Sequence, residues 1–531
     1  MIGGRFASKC NIRIAPTASS QLRWHKRNCE CIIQRSFEDR EDGWGGTGDE
    51  RRMKIVLVSS EAVPFAKTGG LGDVVSALGK ELVKLGNDVT LVMPHYAGIS
   101  IPPTRLITPL TLNFAGRHVT YSILESQYAG MRMVFIDAPG YFHRSGVYGD
   151  SSGDYRDNDE RFVFFNLACL DYFVREDTRP DIFHCNDWPT GPLPLFLKTR
   201  YTQEAIHDTP VLFTIHNLAY QGNFPSDHFG LLGLGWEYYT SEGVEFYGTV
   251  SFLKAGLVFS DILTTVSKRY AQEIQTPEFG YRMDGILRSR ATRLFGVLNG
   301  IDDEEWNPQT DRFIARNYSA DDFSGKEACK KDLLAAAGLH PETIWPVIGI
   351  ITRLAAQKGV DLLEAAVSRI LDMNAFMVVL GSGEWRYEQF FERLRNSRPN
   401  QVAVAIKFDN ALAHKIEAGS DMFLMPSHYE PCGLNQMYSL KYGTVPIVRA
   451  TGGLEDTITE WSGDQQTGNG FKFYDYHPHA LVDAVARARN AYENKAAWTK
   501  IMQNGMRANY SWKSSALQYL SLYEQAIQLK S

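Results

Sequence analysis

Residues 67–74, Lys-Thr-Gly-Gly-Leu-Gly-Asp-Val, constrain the fold of this chain more than any other stretch. The apolar run Ile55-Val56-Leu57-Val58 precedes them, and the helical spacing Val74, Val75, Leu78, Leu82, Leu85 follows. That order is strand, glycine loop, helix. Gly69, Gly70 and Gly72 allow a tight turn and close approach of backbone to a ligand. The free N–H groups of the helix start point into the loop with the positive end of the helix dipole behind them. With Lys67 adding a cation at the rim, the loop suits a phosphate or the hydroxyls of a sugar. Such a turn is also a generic part of doubly wound folds. It is not the dinucleotide fingerprint, because Val75 stands at the last position and the next strand ends Val92-Met93-Pro94 without an acid. No Gly-Lys-Ser/Thr makes it a Walker loop.

A chain of 531 residues is too long for one core and predicts two domains of ordinary size. A net charge of −6 gives no bulk electrostatic case for nucleic acid or an anionic membrane. No uncharged apolar run reaches the roughly 18–20 residues that span a bilayer. Of seven cysteines, Cys10, Cys29 and Cys31 precede the first strand, while Cys169, Cys185, Cys329 and Cys432 are far apart and form no metal-ligand spacing. This implies a reducing compartment without a disulfide framework.

Residues 1–52 are expected to be a disordered leader. Two readings stand: an organellar transit peptide, from the excess of Lys and Arg over acids up to residue 36, or an over-extended start, with translation beginning at Met53. The second is preferred, which implies a cytoplasmic protein; the first implies a plastid one. From Met53 strands and helices alternate. Strands are predicted at 55–58, 89–93, 182–184, 211–215, 262–266 and 295–298, with hairpins inserted over 106–137 and a helix over 157–174. A second series has strands at 347–351, 377–380, 402–406, 422–425 and 445–448, with a helix over 361–371. The fold class is therefore α/β, two Rossmann-like doubly wound domains. The expected division is 53–305, 306–510 and a C-terminal helical segment, 511–531, packing back on the first domain.

Three loops of the second half carry chemistry. Pro426-Ser427-His428-Tyr429-Glu430-Pro431-Cys432-Gly433-Leu434 follows a strand and places the Glu430 carboxylate at a strand's carboxyl end, where open α/β sheets bind ligands. Gly433 and Leu434 offer N–H groups at the next helix start. Arg353 and Lys358, also between a strand and a helix, suit a diphosphate, Arg with a planar fork of donors and Lys with a compact charge. Thr451-Gly452-Gly453-Leu454 repeats the arrangement. Each alone has a bland reading as a solvated turn; three on successive strands face one edge. Asp157-Asn158-Asp159 has the Asp-x-Asp form of a metal grip, but it lies in a hydrophilic run with no strand before it. It is read as a solvated loop and helix start, so no metal site is assigned.

Lys-Thr-Gly-Gly-Leu-Gly-Asp at 67–73, Phe-Thr-Ile-His-Asn at 213–217, Leu-Asn-Gly-Ile-Asp at 298–302, Arg-Leu-x-x-Gln-Lys-Gly at 353–359, Glu-Pro-Cys-Gly-Leu at 430–434 and Thr-Gly-Gly-Leu at 451–454 resemble the bacterial glycogen synthases and plant starch synthases. The resemblance covers residues 53–527. It implies a GT-B architecture, a deep cleft between two Rossmann-like halves, and retaining transfer of glucose from ADP-glucose to the non-reducing 4-hydroxyl of an α-1,4-glucan. Neither metal nor other cofactor is implied. Carried over, Lys67, Gly69, Gly70 and Asp73 face the donor from the first half. Arg353, Lys358, Gly433, Leu434, Thr451 and Gly452 hold its phosphates from the second. Glu430 contacts the transferred glucose, and His216, Asn217 and Asn299 face the same pocket. Phe408 stands where the family has a tyrosine stacking on adenine. The catalytic set implied is Glu430, Lys358, Arg353, Lys67 and His216. His184, Asp187 and Trp188 match the family and are read as packing residues; Tyr148 is placed on the acceptor side. Cys432 is read as open to thiol reagents.

Rival readings are a catalytically silent glucan-binding relative, the same transfer from UDP-glucose, and a nicotinamide oxidoreductase using Gly381-Ser382-Gly383. The last is disfavoured because Arg386 replaces the third glycine.

Overall fold

The computed structural model describes residues 52–530; residues 1–51, on which the expected leader 1–52 falls, and Ser531 lie outside the described residues. Fifteen strands form its two main sheets. The first holds β1 (Lys54–Val58), β2 (Asp88–Pro94), β3 (Arg105–Phe114), β4 (Arg117–Tyr128), β5 (Met131–Asp137), β6 (Ile182–Asn186), β7 (Val211–Ile215), β8 (Ile262–Thr265) and β9 (Leu294–Gly296). Their order is β9-β8-β7-β6-β1-β2-β5-β4-β3. All neighbours run parallel except β3 with β4 and β4 with β5, the hairpins expected from the alternation between 106 and 137.

The second sheet is wholly parallel: β10 (Val347–Ile351), β11 (Phe376–Leu380), β12 (Val402–Ala405), β13 (Met422–Met425), β14 (Val445–Arg449) and β15 (Phe471–Phe473), in the order β12-β11-β10-β13-β14-β15. β15 was not expected. It is three residues at the sheet edge, too short to show a pattern.

Helices cover both faces, so the central strands are buried on both sides and read as unbroken apolar runs. Helix α1 (Leu71–Lys84) lays Leu71, Val74, Val75, Leu78 and Leu82 on the first sheet. Helix α2 (Asn158–Arg175) begins at the Asp-Asn-Asp triplet. Asn158 and Asp159 are buried there, with Asp157 paired to Arg144 and Asp159 to His228, which corrects the solvated reading. Further helices that matter for the site are α3 (Lys268–Glu273), α4 (Val360–Leu371), α5 (Asn435–Lys441) and α6 (Gly452–Thr457). The last helix, α7 (Trp512–Gln528), returns to the first lobe, where Trp512, Ala516, Tyr519, Leu520, Tyr523 and Ala526 join its core. Tyr523 Oη lies 2.8 Å from His184 Nδ1 on β6, and Thr214 Oγ1 on β7 holds the other ring nitrogen at 2.7 Å. The chain thus crosses between lobes twice.

Sheet order decides where a ligand can go. In the first sheet the connections leave β1 in opposite directions, to β2 and later to β6. In the second they leave β10 likewise, to β11 and β13. These are switch points, where the loops at the strands' carboxyl ends part and leave a crevice. None of the helices among the described residues is long and apolar enough to cross a membrane.

Candidate active site

One cavity of about 590 Å³ is lined by both switch points. From the first lobe come Glu61 and residues 68–71 after β1, Asp187 and Trp188 after β6, His216 and Asn217 after β7, Asn299, and Tyr148. From the second come Arg353, Gln357 and Lys358 after β10, and Ser427, Glu430 and residues 431–435 after β13. The size lies within the range of small-molecule sites, roughly 300–1,000 Å³.

On the second-lobe wall, Lys358 Nζ sits 2.6 Å from Glu430 Oε2, which also accepts a 3.0 Å hydrogen bond from Ser427 Oγ. Their side chains are only 19% and 6% exposed. The pair is fixed by backbone: Gly359 sits at φ +73°, and a Cβ there would fall 2.0 Å from the Pro426 carbonyl oxygen. Only glycine lets the β10 and β13 loops pass this close. Arg353 lies on the same wall, its Nη2 3.4 Å from Gln357 Oε1. A lysine and an arginine at one rim, with a carboxylate behind the lysine, can receive a polyanion while keeping a negative charge beside the reacting carbon.

The first-lobe wall departs from expectation. Glu61, absent from the sequence reading, is buried and fills the glycine loop with its own carboxylate. It accepts Thr68 N–H at 2.5 Å, Gly69 N–H at 3.3 Å, Thr68 Oγ1 at 2.8 Å and the Tyr148 hydroxyl at 2.7 Å. Gly69 and Gly70 line the cavity as expected, but the Gly69 amide is already satisfied. Lys67 and Asp73 do not line it; they pair with each other at 2.7 Å, half-exposed, beside the loop. The only early hint of Glu61 is its place, a lone acid in an otherwise apolar and small run directly after β1.

His216 reaches the cavity with its backbone N–H donating to Asp187 Oδ1 at 2.7 Å and its ring Nε2 2.9 Å from Asn186 Oδ1. Burial drives its pKa down to about 3, so the ring is neutral. Asp187, read from sequence as packing, lines the cavity with Trp188. Burial pushes its carboxyl up to about 7 against the opposing backbone hydrogen bonds of His216 and Asn217. Asn299 lines the cavity, and its buried Oδ1 atom has no hydrogen-bond partner.

Two expected residues of the second lobe lie elsewhere. Thr451 and Gly452, at the start of α6, are buried beneath Glu273 of α3. Its carboxylate accepts Gly452 N–H at 3.1 Å and Thr451 Oγ1 at 3.2 Å. This helix start therefore binds a carboxylate of the other lobe, and burial raises the Glu273 pKa. Phe408 is 89% exposed and outside the cavity. It follows β12, the edge strand two places from β10, so its loop leaves the same sheet edge but to one side of the switch point. Cys432 joins a small buried cluster with Val266, Ile301 and Met437, and burial pushes its thiol up to about 12. Its predicted reactivity is thereby withdrawn.

Residues 54–289 match the starch synthase catalytic domain family and residues 341–504 the family of glycosyl transferases group 1. The chain is 48% identical to a glycogen synthase of Koribacter versatilis over 482 residues, 90% of this chain and 99% of that one. It is 46% identical to a glycogen synthase of Myxococcus xanthus, over 90% of this chain and all of the relative. Among solved structures, the catalytic domain of starch synthase IV from Arabidopsis thaliana, bound to ADP and acarbose, superposes with a TM-score of 0.80 at 34% identity, covering 90% of this chain and 100% of that domain. Two largely parallel sheets whose switch points share one cleft make this a glycosyltransferase of the GT-B class. Within that class the chain belongs to the glycogen and starch synthase family.

Proposed function

We propose that the chain transfers glucose from ADP-glucose to the non-reducing 4-hydroxyl of an α-1,4-glucan, with retention of anomeric configuration. The observation that carries this reading is the cleft itself, where Arg353, Lys358 and Glu430 on one wall face Gly69, Gly70, His216, Asn217 and Asn299 on the other. That a similar catalytic domain is bound to ADP and acarbose supports an ADP-bearing donor and an oligosaccharide acceptor.

Breaking the glycosyl–phosphate bond leaves extra negative charge on the departing diphosphate and positive charge at the anomeric carbon. Arg353 and Lys358 take up the first with preorganised donors, aided by the Gly433 and Leu434 backbone; this is the work a divalent ion does in other transferases. Glu430 offsets the second. The nitrogen of His216 that is not tied to Asn186, and the unpartnered Asn299 Oδ1, hold sugar hydroxyls. Asp187 and Tyr148 face the acceptor. Lys67 acts from the rim after leaving Asp73 as the lobes close on substrate. Phe408, already solvent-facing, stacks on the base outside the cavity. Thr451 and Gly452 act indirectly, by fixing the lobes through Glu273.

The test is incubation with glycogen and labelled ADP-glucose or UDP-glucose in excess EDTA. Label is expected in polymer from ADP-glucose, undiminished by the chelator and released by β-amylase. Incorporation from UDP-glucose alone would assign the other donor, and none from either would make the chain a silent glucan-binding relative.

A further inference from the structure

Away from the cleft, β2 and β5 end side by side, and the residues just past them converge. His95 follows β2 and its N–H donates to the Ile136 carbonyl at 2.9 Å, so its backbone is tied to β5. Asp137 is the last residue of β5. A single helical turn, Pro139–Phe142, then folds the chain back and brings His143 over Asp137. His95 Nδ1 lies 2.9 Å and His143 Nε2 3.0 Å from the same carboxylate oxygen, Asp137 Oδ1, and the two ring nitrogens are 3.4 Å apart. Three ligand-type atoms thus sit at the corners of a nearly equilateral triangle.

We propose that His95, Asp137 and His143 form a binding site for a divalent transition-metal ion such as Zn²⁺, which braces the wall of the first lobe behind the cleft. At metal–ligand distances of about 2.0–2.2 Å, neighbouring ligands stand about 3.0 Å apart in an octahedron and about 3.4 Å in a tetrahedron. The observed edges span that interval. An ion equidistant from the three atoms sits about 1 Å out of their plane, at a bond length of about 2.05 Å. Two imidazoles and a carboxylate form a borderline donor set that takes Zn²⁺, Fe²⁺ or Ni²⁺ over Mg²⁺ or Ca²⁺. The side chains of His95 and Asp137 are 15% and 20% exposed and that of His143 38%, so the open side faces solvent and water can complete the shell. The nearby Arg144 guanidinium is engaged by Asp157 and does not compete for Asp137.

None of the three residues lines the cleft, yet each histidine leads into it. Tyr96, next after His95, donates its hydroxyl to the Ser60 carbonyl at 2.9 Å. Tyr148, five residues past His143, hydrogen-bonds Ser60 Oγ and Glu61 Oε1, both at 2.7 Å. An ion holding His95 and His143 together fixes the two aromatic struts against the loop after β1.

The test is equilibrium dialysis of the full chain against micromolar Zn²⁺, with His143→Ala and Asp137→Asn in parallel. Wild type is expected to hold one more ion per chain than either variant. Loss of a ligand should weaken that ion by more than the roughly 10–100-fold that loss of an outer-shell partner costs. Co²⁺ should give visible bands in wild type without thiolate charge transfer, which separates this site from the cysteines. The Co²⁺ bands and a Zn²⁺-dependent rise in thermal midpoint should both vanish in the variants. Equal Zn²⁺ content in all three chains, or no visible Co²⁺ band beyond those of thiolate, would overturn the proposal. His143 is exposed enough for the alanine variant to fold, and Asp137→Asn keeps the side-chain shape.

Discussion

Removing Lys358 tests the proposed chemistry most directly, because the structure predicts two effects that can be separated. Lys358→Ala leaves the buried Glu430 carboxylate with one neutral donor, Ser427 Oγ. Loss of one partner of a buried pair costs about 3–5 kcal/mol when no water can reach the other. Some water reaches Lys358, so the expected loss is about 2–3 kcal/mol, or about 4–12 °C in the thermal midpoint of a lobe this size. Turnover should fall about 10²–10³-fold, as for loss of one preorganised donor. The double variant Lys358→Ala/Glu430→Gln has no stranded charge and should recover most of the stability, but none of the turnover. Thermal unfolding and label incorporation, run on wild type, both single variants and the double, supply the cycle. If the alanine variant lost stability yet turned over within tenfold of wild type, the pair would be a strut and Lys358 would have no part in phosphate departure.

Three further outcomes follow from particular contacts. Glu273→Ala strips the partners from Gly452 N–H and Thr451 Oγ1 in the lobe interface and should destabilise by about 2–3 kcal/mol in urea unfolding. His184 is held neutral by burial, its pKa lowered to about 3. The unfolded chain protonates through about 6.5, so the stabilisation is complete above that pH and is lost as pH falls towards 3. Between pH 7 and 5 it accounts for about 2 kcal/mol. His184→Gln should flatten the urea midpoint across that window by this amount, and an unchanged slope would show that His184 is solvated. Phe408→Ala should raise the KM for ADP-glucose about 2–12-fold at constant kcat, the equivalent of one aromatic stack; an unmoved KM removes that residue from the base site.

The parallel strands of both sheets were legible because a parallel strand buried on both faces must be apolar throughout, and the inserted hairpins because their residues alternate. Only β15, three residues at an edge, gave no signal. Residues at strand ends were legible for the same topological reason, which is why Arg353, Lys358, Glu430 and His216 meet in one cleft. What the sequence hides is which backbone donors the protein has already used. Glu61 reaches forward seven residues to Thr68 and Glu273 crosses 179 residues to Gly452. Neither spacing is a motif. Cys432 is two residues from Glu430 in sequence and borders the cleft, yet it is buried in an apolar cluster with Val266, Ile301 and Met437. Likewise, His95 lies 42 residues before Asp137 and His143 only six after it. No ligand-spacing rule joins them until two strands lie side by side.

The return of α7 has a consequence for biosynthesis. The first lobe is nearly all translated once β9 has left the ribosome, but its core lacks Tyr519 and Tyr523 until the final helix emerges. At about 5–20 residues per second, the intervening stretch of roughly 200 residues takes about 10–40 s. Throughout that interval His184 and the apolar groove beside it stay uncovered on a nascent chain. Folding of the earlier half is thus completed at translation termination, and a ribosome that stalls anywhere in the second half releases a first lobe without the helix that closes its core.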